Sequence, residues 1–112
     1  MIRSFRERVE SVIFLLVTGE YEELERLTVG VRLTASEIST AIRQYDRRLV
    51  HPPPSAHEAL DTVLVINSTP PQWSVRMRLW TAEEGTSDLT LETTVIQTEK
   101  GYRIELDDIH VL

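Results

Sequence analysis

Residues Trp73 to Leu112 alternate apolar and polar side chains through three successive runs, W-S-V-R-M-R-L, L-T-L-E-T-T-V and Y-R-I-E-L-D-D-I-H-V. Successive side chains on a strand point to opposite faces, so this period of two predicts three strands of one antiparallel sheet with a single buried face. The pattern also settles which side chains share a face, and so where any site carried by the sheet would lie.

Thr98-Glu99-Lys100-Gly101 reads as a tight turn with glycine at the left-handed position. That turn sets Gln97 opposite Tyr102, Val95 opposite Ile104, Thr93 opposite Leu106, Leu91 opposite Asp108 and Leu89 opposite His110. A longer loop, Thr81 to Ser87 with Glu83-Glu84-Gly85 at its tip, joins the preceding pair. Leu79 then faces Leu89, with Met77 by Leu91, Val75 by Thr93 and Trp73 by Val95. Both registers place Trp73, Val75, Met77, Leu79, Leu89, Leu91, Thr93, Val95, Ile104 and Leu106 on one face, whereas a slip of one residue would invert the assignment.

The first half of the chain has helical periodicity. Ile2, Phe5, Val9, Val12, Ile13 and Leu16 recur at three- and four-residue spacing and predict a helix over Ile2–Val17, with Phe14, Leu15 and Val17 widening its apolar stripe. Thr18-Gly19 ends it. A short second helix spans Tyr21–Leu27, with Glu20, Glu22 and Glu23 at the end where acids complement the helix dipole. Thr34-Ala-Ser-Glu37 has the spacing of a capping box and opens a third helix whose apolar face is Ile38, Ala41, Ile42, Tyr45 and Leu49. His51-Pro-Pro-Pro54 stops this helix, since a residue before proline is driven out of the helical region. The V-L-V-I run within Asp61–Asn67 predicts a first strand, and Asn67-Ser-Thr-Pro-Pro71 a loop. The expected architecture is α+β: three N-terminal helices on a curved four-stranded antiparallel sheet. It is expected to form a single domain over 1–112, with a helical half (1–50) and a sheet half (61–112), because neither half buries its own apolar face alone.

Composition removes several classes of chemistry. The 112 residues contain no cysteine, which excludes disulfides and thiolate nucleophiles or ligands and fits a reducing, cytoplasmic setting. No apolar stretch approaches the roughly 20 residues of a membrane-spanning helix, and the N-terminal arginines are interrupted by Glu7 and Glu10 without a following cleavage signal. A formal net charge of −6 repels polyphosphate and argues against nucleic-acid binding. Eleven of the 12 Lys and Arg residues are arginine, which reflects a GC-rich coding background better than a phosphate site. The histidines at 51, 57 and 110 show no metal-ligand spacing, only Glu58 and Asp61 accompany the first two, and no metal or other cofactor is expected. There is no glycine-rich phosphate loop, and Glu83-Glu84 reads as a solvated hairpin tip.

Candidate functional residues follow from the register. Asp108 and His110 stand two apart on the last strand and fall on the inner face, where they would form an acid–base pair at the mouth of a concave pocket. Two structural alternatives compete with that reading. A β-bulge at Asp107-Asp108 would turn both residues out to solvent, or the pair could close the end of the core with hydrogen bonds. The opposite face gathers Arg76, Arg78, Trp80, Glu92, Asp107 and Ile109. It reads either as a solvated charge ladder, with Arg76 near Glu92 and Glu92 near Asp107, or as an interaction surface. An aromatic side chain flanked by arginines has the composition of a binding hot spot.

The order of three helices followed by an antiparallel sheet resembles the cystatin-like cone of nuclear-transport-factor-like and SnoaL-like proteins. The blocks LWTAEEGTSDLTLE and IELDDIHVL are similar to those of a family of small uncharacterised bacterial proteins. The cone fold implies isomerases, dehydratases, immunity proteins and dimerisation modules alike, so the site has to decide. The leading expectation is a binding or regulatory domain without catalytic activity. It would form a homodimer or bind a protein partner, an immunity-type role included, through the outer face of the sheet. The alternatives are a small-molecule enzyme of the isomerase or dehydratase type, using Asp108 and His110 with Tyr45 or Tyr102 as donors, and a cone that binds a small-molecule ligand without chemistry.

Overall fold

The computed structural model describes residues 2–29, 32–59 and 61–111, with side chains for 6–29, 32–56 and 61–111. Helix α1 spans Ile2–Thr18, α2 Tyr21–Leu27 and α3 Ala35–Tyr45. The expected core side chains of Ile2 and Phe5, together with those of His57 and Glu58, lie outside the described residues. Gly19 leaves α1 at φ 74°, the left-handed exit that its missing Cβ permits. The Thr34–Glu37 capping box forms: the Glu37 amide donates to Thr34 Oγ1 at 3.2 Å, and the Thr34 amide donates to Glu37 Oε1 at 3.0 Å. Two helix-terminal donors are thereby satisfied before α3 packs on anything.

Helix α3 ends four residues earlier than its periodicity suggests. Asp46 adopts a left-handed conformation, φ 53° and ψ 43°, and breaks the ladder after Tyr45. Leu49 and Val50 are consequently not helical. They form strand β1 (Leu49–Val50), paired antiparallel with Thr81 and Trp80. A 3-10 helix over Pro54–Ala59 carries the chain to β2 (Asp61–Leu64). Strands β3 (Gln72–Thr81), β4 (Gly85–Thr98) and β5 (Gly101–Val111) follow. The sheet is antiparallel and runs β1-β3-β4-β5, with β2 also paired to β3, so it has five strands where the hydrophobic pattern predicts four.

Helices and sheet share one core. Val9, Val12, Ile13, Leu16, Leu24 and Ile38 pack against Val75, Met77, Leu79, Leu89, Leu91, Val95, Ile104 and Leu106. The inner face expected from alternation is therefore correct from Val75 to Leu106; Trp73, half-buried, packs at its margin edge-on to Tyr102 with ring centroids 5.9 Å apart. Burying each large aliphatic side chain here contributes about 1.5–3 kcal/mol relative to leaving it in water.

Two strand irregularities set the final placement of side chains. The β3–β4 register matches expectation at Trp73–Val95, Val75–Thr93 and Met77–Leu91, then shifts between Arg78 and Trp80, so that Trp80 faces Thr86 and Thr81 faces Gly85. The β4–β5 register matches at Gln97–Tyr102, Val95–Ile104 and Thr93–Leu106, then shifts between Glu92 and Thr93. Asp107 is the additional residue. Beyond it Glu92 faces Asp108, Leu91 faces Ile109, Thr90 faces His110 and Leu89 faces Val111. No helix among the described residues is long and apolar enough to cross a membrane.

Candidate functional site

The extra residue at Asp107 exchanges the faces of everything after it, and this corrects the expected inner-face position of Asp108 and His110. Both stand on the outer face, away from the helices, beside Glu92 and Thr90. Ile109, expected on the outer surface, is 6% exposed and belongs to the core. The physical reason is hydrophobic. The buried apolar residues of β5 are Tyr102, Ile104, Leu106 and Ile109, so the step from Leu106 to Ile109 is three residues, and burying both requires one residue to drop out of the alternation. Of the two alternatives to an inner-face pair, the bulge is the one that forms.

Glu92, Asp108 and His110 converge on one spot. Glu92 and Asp108 are direct cross-strand partners, and His110 stands two residues beyond Asp108 on the same face. His110 Nδ1 lies 3.1 Å from Asp108 Oδ2 and 3.1 Å from Glu92 Oε2. The other Asp108 oxygen, Oδ1, accepts from the Ile109 amide at 2.9 Å, which fixes the carboxylate plane and turns Oδ2 toward the imidazole. Glu92 and His110 are about one-third exposed and Asp108 about half. Glu92 enters the cluster because the bulge carries Asp108 to it; in an unbulged register Glu92 would face Asp107.

The expected charge ladder forms only in part. Arg76 and Glu92 are register partners, yet Arg76 pairs with Asp61 of β2 at 3.4 Å, while Glu92 turns to His110. Asp107 sits at the bulge, half-buried. Thr94 Oγ1 donates to its Oδ2 at 2.5 Å, and Arg32 Nε stands 4.0 Å from its Oδ1. Asp107 is therefore held by its own neighbours and does not join the Glu92 cluster.

Next to the cluster the outer face has a depression of about 460 Å³ lined by Asp61, Arg76, Arg78, Trp80, Thr86 and Thr90, among others. Trp80 is half-buried and its ring lies over Gly85, whose φ of 73° is the left-handed turn conformation that favours glycine. Thr90, buried between its register partners Arg78 and His110, connects the depression to the Glu92–Asp108–His110 group. The structure thus joins Arg76, Arg78, Trp80, Glu92, Asp108 and His110 into one continuous outer surface and removes Ile109 from it.

Other candidate residues have structural employment. Tyr45 Oη donates to Glu84, 2.9 Å from Oε1 and 3.0 Å from Oε2, and Glu83 Oε1 accepts from the Arg48 amide at 3.0 Å. The acidic hairpin tip is exposed, as the sequence suggests, and it also clasps the end of α3 and the residue before β1. Tyr102 is buried against Trp73. Phe14 stands half-exposed against His51, ring centroids 5.8 Å apart.

The β5 bulge lies within the last forty residues, whereas the Trp80 depression also draws on Asp61 and the β3–β4 turn is clasped by Tyr45 and Arg48. No curated protein and no solved structure matches the chain. A family model described as a domain of unknown function, DUF7668, matches residues 13–112, nearly the whole chain, and the protein belongs to that family.

Proposed function

We propose that this domain acts by binding and not by catalysis, and that it associates with a second copy of itself through the open edge of the sheet at β2. The observation that carries the reading is the state of that edge. Val63 and Leu64 of β2 are 57% and 55% exposed, and Val65 and Ile66, just beyond the strand, are 40% and 83% exposed. Strand β2 pairs with β3 on one side and, among the described residues, with no strand on the other. Its outer row of backbone donors and acceptors is a template for strand addition. Edge strands are ordinarily protected by charge; here β2 has one, Asp61 at its start, and residues 62–75 carry none.

A second copy is the occupant best suited to this edge. An antiparallel β2–β2 pair is self-complementary, as a two-fold interface has to be, and sets apolar side chains against apolar side chains. Each protomer carries a net charge of −6, and along β2 only Asp61 is charged and is paired with Arg76, so two like-charged copies approach there with little repulsion. We read the architecture as a cystatin-like cone and the setting as cytoplasmic; three helices on one face of an antiparallel sheet, and the absence of cysteine, support this. The enzymatic alternative loses its main support, because Asp108 and His110 face away from the core on an open surface.

Sedimentation equilibrium tests the proposal. At tens of micromolar the chain is expected to be a dimer, and Leu64→Arg with Ile66→Glu is expected to give a monomer of unchanged far-UV spectrum. Trp80→Ala and Arg78→Glu discriminate the edge from the outer face: both leave an edge dimer intact. A wild-type monomer at these concentrations refutes the reading.

A further inference from the structure

We propose that Glu92, Asp108 and His110 form a binding site for a divalent transition-metal ion of the zinc class. The donor set is mixed and not merely acidic: one imidazole nitrogen stands equidistant, at 3.1 Å, from carboxylate oxygens contributed by two adjacent strands. The three donor atoms all lie within 4.8 Å of one another. Two ligand atoms at bond lengths of about 2.0–2.2 Å and angles between octahedral and tetrahedral lie roughly 2.8–3.6 Å apart, so both His110 spacings already suit neighbours around one ion.

The local electrostatics favour a cation at this point. Glu92 and Asp108 are directly opposed across β4 and β5, an arrangement of like charges that destabilises a sheet unless something positive intervenes. The nearest cross-strand arginine, Arg76, is engaged with Asp61. His110 Nδ1 carries at most one proton, and two carboxylates at equal distance compete for it. A metal ion in place of that proton satisfies all three groups at once.

Placement and rigidity agree with this assignment. All three ligands stand on paired strands and not on loops, and the Ile109 amide holds the far oxygen of Asp108 at 2.9 Å. The bulge at Asp107 exists because Ile109 is buried, and it is what brings Asp108 level with Glu92. An imidazole with two carboxylates selects zinc, manganese or iron over magnesium and calcium, which prefer oxygen ligands alone. Three protein donors leave the remaining coordination positions to water or to an oxygen donor of a bound molecule, beside the Trp80 depression.

Isothermal titration of the full chain with zinc chloride tests the site. The expected result is one Zn²⁺ per chain with a micromolar or tighter Kd that excess Mg²⁺ does not displace. Glu92→Gln, Asp108→Asn and His110→Gln, each checked for an unchanged far-UV spectrum and melting temperature, are expected to weaken binding by about tenfold or more. The double variant His51→Ala/His57→Ala is expected to bind as the wild type does. Three results overturn the proposal: no saturable 1:1 binding up to millimolar zinc, binding that the three isosteric variants leave unchanged, or binding that follows the His51/His57 variant. Loss of fold in one isosteric variant leaves the other two to decide. Monomer–dimer state is a separate measurement, so the metal site stands or falls independently of the β2 edge.

Discussion

Because a β-bulge adds one residue to one strand only, Asp107 has no counterpart on β4, and Asp108, Ile109 and His110 occupy faces opposite to those that strict alternation assigns. The energetic argument for this arrangement rests on Ile109. Its burial removes a full aliphatic side chain from water, worth about 1.5–3 kcal/mol, whereas the regular register would bury Asp108 and His110 instead, at several kcal/mol of desolvation. Paired substitutions at this point are diagnostic. Ile109→Lys places an unpaired charge in the core and is expected to lower stability by about 3–5 kcal/mol in urea denaturation. Asp108→Lys, one residue away but on the exposed face, is expected to change it by about 1 kcal/mol or less. Equal losses at the two positions would contradict the bulge. The signal was present in the sequence as the three-residue step from Leu106 to Ile109, but two adjacent aspartates conceal which residue drops out. Glu92 meets His110 only through the shifted register that this bulge sets.

Elements whose signals are local were legible from the sequence. The Thr34–Glu37 capping box, the Gly19 exit from α1 and the Thr98–Gly101 turn all form where their residues lie within a few positions of each other. Thr34→Ala is expected to destabilise the fold by about 1 kcal/mol, read as a lowered thermal midpoint, with Thr34→Gly losing only a few tenths. Leu49 shows the converse. Its spacing continues the apolar face of α3, yet Asp46 turns left-handed and Leu49 enters a strand whose partner, Thr81, is over thirty residues away. Helical periodicity carries no information about such a partner. The Glu83-Glu84 tip is another long-range case, because its acids are held by Tyr45 and by the Arg48 amide, contacts that no local window contains. Strand β2 was recognisable by its β-branched run but not by its exposure, which follows from its place on the edge of the sheet.

At the scale of the whole molecule the division of labour is between two faces and one edge. The helices cover the inner face and account for the core. The outer face carries the Trp80 depression and the Glu92–Asp108–His110 group, and the β2 edge carries the exposed apolar run. The titratable cluster lies on the face of the sheet away from the helices. Both the proposed metal site and the proposed non-catalytic role depend on the same placement of Asp108 and His110, so the β4–β5 register is the point to measure. Cross-strand backbone nuclear Overhauser effects report it directly. Contacts of Glu92 with Asp108, Leu91 with Ile109 and Thr90 with His110 are the expected result, whereas contacts of Leu91 with Asp108 and Leu89 with His110 would return the pair to the inner face and contradict the account.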